Sequence, residues 1–380
     1  MKLSGAWIEA DHVQQVLAML DRGGHQGLLV GGCVRNALLG QAVSDIDIST
    51  DARPERVMEL AAAAGLKAVP TGIDHGTITV VADHLPHEIT TFRRDVETFG
   101  RHAVVAFSDR IEDDAARRDF TMNALYARAD GQVLDPLGTG LADLAARRVR
   151  FVGHPGDRIR EDYLRILRFF RFTAWYGDPD QGPEPDGLAA CARHARGLEG
   201  LSRERLGAEL KKTLAAPDPA PALAAMQAAG VLGHVLPGAD ARALAVLVHL
   251  EAGTPPDPIR RLAVLGGEGV ADRLRLSKAE TKRLANLALA RQEPSPGALG
   301  YRLGATDGAN AVLVRAALLG QAPPEDWQAE VARGAAARFP VTAADLMPAL
   351  SGPALGARLQ DLEARWIASG FTLSRDELLA

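Results

Sequence analysis

Two aspartates with one residue between them, Asp45 and Asp47, closely follow a glycine-led run, Gly31-Gly32-Cys33-Val34-Arg35. On a strand, residues two apart project from the same face, so Asp45 and Asp47 would stand side by side while Ile46 and Ile48 anchor the core. Such a pair suits hard magnesium ions, which take oxygen ligands and share them with substrate phosphates. Two ions held there would lower the pKa of an attacking hydroxyl and neutralise charge on departing pyrophosphate. Gly31 and Gly32, at a strand-to-helix turn, would let backbone N–H groups approach a triphosphate at a helix amino terminus. Arg35, one turn in, can fork onto phosphate oxygens. A DxD pair alone is often only a solvated loop start and a glycine pair alone usually a turn; joined at this spacing, with the arginine, they point to nucleotidyl transfer.

The elements that must position these groups follow from pattern. The sequence predicts a strand over 28–30, a helix over 33–39 stopped by Gly40, and a strand over 45–49. Pro54 opens a helix over 53–64 that ends at Gly65, and β-rich runs follow at 77–81 and 88–92. Residues 93–113 have no clean period and read as a long loop. Residues 117–125 read as a helix with Phe120, Ala124 and Leu125 inward, and 157–175 as one strong helix. After about Gly153 everything reads as helix between Pro/Gly-rich breaks: 203–214, 220–229, 239–252, 278–291 and 342–368. The expected class is α+β, with a small mixed β-sheet in a head over 1–150, a helical neck over 151–215 and a helical body and tail over 216–380.

GGCVRNALLG followed by SDIDIST resembles the head motif of the class II tRNA nucleotidyltransferase and bacterial poly(A) polymerase family, within the polymerase-β superfamily. The resemblance implies that Asp45 and Asp47 are the catalytic metal ligands and that Gly32 and Arg35 meet the incoming nucleotide. Asn36 stands where the family usually has Asp. Arg117-Arg118-Asp119-Phe120-Thr121-Met122-Asn123-Ala124-Leu125 is similar to the family's ribose-recognition motif, which makes Arg118 a phosphate contact and Asp119 with Asn123 the ribose contacts. The run from Asp135 to Leu144 resembles the family's link between head and neck, whose implied job is hinging.

Glu161 to Phe172 resembles the family's EDxxRxxRxxRF motif, with Tyr163 in place of its Pro. Polar residues at spacing three, Asp162, Arg165, Arg168 and Arg171, form a slowly drifting stripe beside Leu164, Leu167 and Phe170. Asp162 and Arg165 would then reach one ligand together. A carboxylate accepts from an exocyclic amino group and a guanidinium donates to ring acceptors, which matches the pairing edge of cytosine and, after adjustment, of adenine. The blander alternative is a surface salt-bridge helix. Glu88 is a candidate auxiliary carboxylate, His75 reads as structural, and Ser202 to Leu206 resembles the first body helix. Scattered bases such as Arg283 and Arg291 could touch RNA backbone.

Composition fits this picture. At 380 residues the chain exceeds one core, and 24% charged with 47% hydrophobic residues is ordinary globular protein. The two cysteines, Cys33 and Cys191, are too few for a disulfide framework, and no apolar run approaches the roughly 20 residues of a membrane helix. A cytoplasmic, unanchored protein is expected. The net charge of -5 argues against non-specific coating of nucleic acid, while arginines bunch locally around 93–94, 117–118, 147–150 and 158–171.

The resemblance therefore implies magnesium-dependent attack of an RNA 3′-hydroxyl on the α-phosphate of CTP and ATP, adding CCA to tRNA. Poly(A) synthesis is the alternative, disfavoured because no arginine-rich insertion follows the DxD run. A CC- or A-adding specialist is the second alternative, against which the length of 93–113 argues. A decayed, purely RNA-binding head is disfavoured by the intact Asp45 and Asp47. No adjacent His-Asp pair occurs, so an added phosphohydrolase domain is not expected.

Overall fold

The computed structural model describes residues 1–99, 102–293, 295–347 and 349–380. The chain divides into two compact units. One comprises Met1–Leu201 with Ala228–His234, the other Ser202–Gln227 with Val235–Ala380.

The first unit holds strands β1 (Gly27–Val30), β2 (Asp47–Thr50), β3 (Lys67–Gly72), β4 (Thr77–Ala82), β5 (Leu85–Thr91), β6 (Arg93–Phe99), β7 (His102–Phe107), β8 (Tyr126–Ala127) and β9 (Val133–Leu134). Seven form one mixed sheet in the order β3-β4-β5-β2-β1-β8-β9, while β6 and β7 pair separately. β2 runs parallel to β5, and the other pairs in the sheet are antiparallel. Helices α1 (Ala6–Glu9) and α2 (Asp11–Arg22) precede the sheet, and α3 (Gly32–Leu38) and α4 (Pro54–Ala63) interrupt it. α2 buries Val13, Val16, Leu17 and Leu20, spaced as one face of a helix, and α4 buries Val57, Leu60 and Ala61.

Register then assigns the faces. Leu29, Ile48, Ile89 and Ile78 lie directly opposite one another across β1, β2, β5 and β4, so they share one face. The other face carries Leu28, Val30 and Tyr126, which pack with Phe92, Ala115, Ala124 and Val152. Asp47, paired with Val30 and Glu88, belongs to this second face.

Three expectations about local structure are corrected. Residues 93–113 are not a loop: β6 and β7 form an antiparallel hairpin, its tip outside the described residues, and helix α5 (Ile111–Ala116) follows. The run 117–125 is not a helix. Phe120 is extended and bridges to Phe151, and a single 3-10 turn spans Thr121–Asn123. Burial of Phe120 against Phe151 and Phe172 outweighs helix propensity here.

The third correction concerns 157–175. After α6 (Gly140–Ala145), helix α7 (Pro155–Glu161) stops at Asp162, whose φ of -154° and ψ of 108° are extended, and α8 (Leu164–Tyr176) starts anew. α9 (Pro185–His194) and a 3-10 turn over Ala195–Gly200 complete this arm.

The second unit is helical among its described residues, as expected. The expected helix over 342–368 is broken into Ala343–Leu346 and Gly352–Ala368. Its interior holds Arg260 and Arg261, both buried, which share the carboxylate of Glu251 at 2.7 and 2.9 Å. Arg261 also donates to the carbonyls of Leu214 and Ala216, so the buried cations are saturated by fixed acceptors. Arg283 is held by Asp257 and Asp307. No helix among the described residues is long and apolar enough to cross a membrane.

Candidate active site

Gly31 leaves β1 with φ of 73° and ψ of -117°, a conformation that L side chains rarely adopt, and this swings the chain into α3. The consequence for the acids is direct. Asp47 is the first residue of β2, paired with Val30, the last residue of β1. Asp45 lies before the strand, which corrects the expected span of 45–49. β1 offers no strand residue beyond Val30, and two positions before Glu88 on β5 stands Pro86, which has no N–H to give.

Asp47 and Glu88 are in register on adjacent parallel strands and so share a face. Asp45 and Glu88 line the same open cleft of about 700 Å³ as Asp47. Burial pushes the Asp47 carboxyl above its ordinary range, Glu88 and Asp45 push further, and Arg118 opposes them. Concentrated negative charge of this kind suits a divalent cation with hard-oxygen preference. Among the described residues no three His, Cys, Asp or Glu side chains form a complete metal cage. An ion here would take its remaining ligands from water and substrate phosphates, as magnesium commonly does. Cys33 is no ligand in waiting: burial pushes its thiol up to about 11, and it donates to the Val30 carbonyl at 3.3 Å.

Arg118 reaches the same face. Its Nη2 lies 3.4 Å from Ser49 Oγ, two residues along β2 from Asp47, and 2.9 Å from Asp114 Oδ2. Nε donates to Tyr126 OH at 3.1 Å, and that hydroxyl donates to Asp114 at 2.7 Å. Asp114 is fully buried and takes Arg117 on its other oxygen at 2.6 Å. Burial alone would raise the Asp114 carboxyl; the two guanidiniums and the tyrosine hydroxyl bring it down to about 2. Asp114 and Tyr126 were missed in the sequence. An acid four residues before Arg118 on a helix was the available signal.

A second network runs from α3 to α8. Arg35, buried, donates to Asn123 Oδ1 at 2.5 Å, to Asn36 Oδ1 at 2.9 Å and to Tyr176 OH at 2.9 Å. Asn123 in turn donates to Asp119 Oδ1 at 2.9 Å, and Arg168 Nε donates to Asp119 Oδ2 at 2.7 Å. Arg35, Asn123, Asp119 and Arg168 are thus one chain of contacts. Asn36 keeps an acceptor for Arg35, so the departure from Asp at this position leaves that geometry intact. Arg35 also lies 4.1 Å from the Tyr176 ring centroid, and Arg171 stacks 4.9 Å from that of Phe172.

Two expected groupings differ in detail. The Gly31 N–H donates to the Leu125 carbonyl at 3.1 Å, so it is committed to the fold. Gly32 and Cys33, in the first turn of α3, have by helix geometry no intrahelical acceptor for their N–H groups. Asp162 and Arg165 lie in the turn that opens α8, but Arg165 points to Glu161 at 2.5 Å and to the Arg158 and Arg117 carbonyls. Asp162 Oδ1 accepts from Leu164 N at 3.1 Å.

Comparison with known proteins decides the lineage. A model described as the poly A polymerase head domain matches residues 28–150, and one described as a probable RNA and SrmB-binding site of polymerase A matches 183–242. The mitochondrial CCA tRNA nucleotidyltransferase 1 of Mus musculus is 33% identical over 382 residues, spanning 94% of this chain and 86% of its own length. Its Homo sapiens counterpart matches with the same identity and coverage. This chain belongs to the tRNA nucleotidyltransferase and poly(A) polymerase family. The Bacillus stearothermophilus CCA-adding enzyme, solved in complex with CTP, superimposes with a TM-score of 0.68 and 27% identity, covering 94% of this chain and 92% of that one. Nucleotidyltransferases of this family generally use a divalent metal, which the acids of β2 and β5 fit.

Proposed function

We propose that this chain adds CCA to the 3′ end of tRNA, using CTP, ATP and magnesium, in the cytoplasm. The observation that carries the reading is the register of Asp47 with Glu88 on one face, with Arg118 reaching that face from Asp114. The relatives named as CCA-adding, matched along nearly the whole chain, support the choice of tRNA. Two reduced, buried cysteines agree with the compartment.

Asp45 and Asp47 would hold magnesium, with Glu88 as an auxiliary carboxylate. When bound, the metal lowers the barrier to attack by the RNA 3′-hydroxyl on the α-phosphate and stabilises the leaving pyrophosphate. The chain's own residues do the positioning. Arg118 draws phosphate to the Asp47 face, and the first turn of α3 behind Gly31 and Gly32 supplies N–H donors. Arg35 meets the nucleotide from α3. Asp119 and Asn123 offer the ribose hydroxyls a carboxylate and an amide, and Arg168 and Arg171 extend the basic stripe along α8. Asp162 and Arg165 select the base, a step in which Arg165 exchanges Glu161 for the pairing edge of cytosine or adenine.

The test is incorporation of each labelled nucleotide into a tRNA lacking its terminus, with magnesium. Two cytidines and one adenosine are expected. Long adenosine tails on generic RNA would favour poly(A) synthesis, and cytidine alone a CC-adding specialist.

A further inference from the structure

The break at Asp162 has a local component, because Asp162 is the one residue in 160–165 suited to cap a helix amino terminus. Arg160-Glu161-Asp162-Tyr163-Leu164-Arg165 contains neither Gly nor Pro, and most of it favours a continuous helix. Yet Asp162 is extended, and Tyr163 returns at once to φ of -61° and ψ of -17°. Local bonds accommodate the break: Leu164 N donates to Asp162 Oδ1 at 3.1 Å, and Arg165 N to the Asp162 carbonyl at 3.0 Å. The first is an N-cap bond, which among these six residues only the Asp162 side chain is suited to make, so local capping favours a start here.

Packing acts at the same place. The Tyr163 ring lies on the backbone of Gly197, in the 3-10 turn Ala195–Gly200. A methyl group at Gly197 would overlap Cγ, Cδ1 and Cε1 of that ring, far inside van der Waals contact. The turn beneath is anchored by buried Ala195 and Leu198 and by Glu199, which pairs with His234 Nδ1 at 2.9 Å. The backbone angles it maintains are those a proline at 163 would impose: φ near -65° on itself and an extended residue before it.

We infer that Tyr163, seated on Gly197, is the positioning residue that holds Asp162 extended at the head of α8 and thereby sets the base-selecting turn. Ring-on-glycine packing does here what a pyrrolidine would do covalently. The inference rests on the reading of Asp162 and Arg165 as base selectors.

The experiment uses the full chain, tRNA lacking its terminus, and kcat/KM for CTP against UTP. Tyr163→Ala and Gly197→Ala should each lower the CTP preference by about tenfold or more, since a displaced polar pair no longer fits one base edge. Tyr163→Phe and Tyr163→Pro should keep the parental ratio. The double variant Tyr163→Pro with Gly197→Ala should also keep it, because the ring that would collide is gone. Inhibition by pyrophosphate should be unchanged throughout, which separates base selection from general damage to the head. Preserved preference in folded Tyr163→Ala, or lost preference in folded Tyr163→Pro, overturns the inference. Should Gly197→Ala fail to fold, Tyr163→Ala and Tyr163→Pro decide alone. Asp162→Ala is run beside them: if it too keeps the preference, the selector reading falls, whereas if it loses preference and Tyr163→Ala does not, only the role of Tyr163 falls.

Discussion

Arg168 of α8 donates from Nε to Asp119 Oδ2 at 2.7 Å, joining that helix to the turn that carries Asn123. Burial alone would raise the Asp119 carboxyl; Arg168 and the Asn123 amide hold it below the ordinary range. Arg168→Ala would leave that acid buried with only the Asn123 and Phe120 N–H donors. Removing one partner of a buried pair is costly, here about 1–3 kcal/mol given the donors that remain. Urea unfolding of the variant should show that loss, and an unchanged midpoint would refute the coupling.

Glu88 faces the same side of the sheet as Asp47, one strand over. If it helps hold magnesium, Glu88→Gln keeps its size and one acceptor oxygen while removing charge. The magnesium concentration giving half-maximal rate should rise by roughly 10-fold, with the rate at saturating metal largely restored. A parallel fall at all magnesium concentrations would instead mean that Glu88 acts on the fold.

Tyr176 both accepts from Arg35 at 2.9 Å and stacks beneath its guanidinium. Tyr176→Phe removes only the acceptor, a loss of about 1 kcal/mol, or roughly fivefold in KM for the nucleotide. Tyr176→Ala removes the stack as well and should cost about 1–2 kcal/mol more. Equal KM values for the two variants would show that the ring plays no part in presenting Arg35.

The head was legible in the sequence where one short pattern carried both the fold and the chemistry. Gly31 and Gly32, Asp47, and Pro54 at a helix start lie where local rules put them, whereas Asp45 falls just short of the strand. What was not legible depended on tertiary packing. The extended Phe120 exists because Phe151 and Phe172 bury it, and the start of α8 that Asp162 caps is backed by Tyr163 lying on Gly197, far along the chain. Besides the adjacent Asn36, the side-chain partners of Arg35 are Asn123 and Tyr176, far along the chain, so its spacing to the acids could suggest a phosphate contact but not the network that holds it. The hairpin of β6 and β7 was hidden because its residues lack a strict alternation.

Asp114 gives the clearest pH prediction. Its folded value of about 2 lies below the ordinary 3.8, so the unfolded chain binds a proton more readily. Stability from this acid is therefore fully present above about pH 4 and drains away as pH falls through 2. With the group fully buried, the difference is worth about 2 kcal/mol. Asp114→Asn should flatten the parental stability profile between pH 4 and 2 by that amount, measured by urea unfolding of both proteins at each pH. Because Asp114 also orients Arg118, the same variant should raise KM for nucleotide at neutral pH, where no proton is exchanged. A variant as acid-sensitive as the parent would show that the charge of Asp114 is not what binds Arg117 and Arg118 in place.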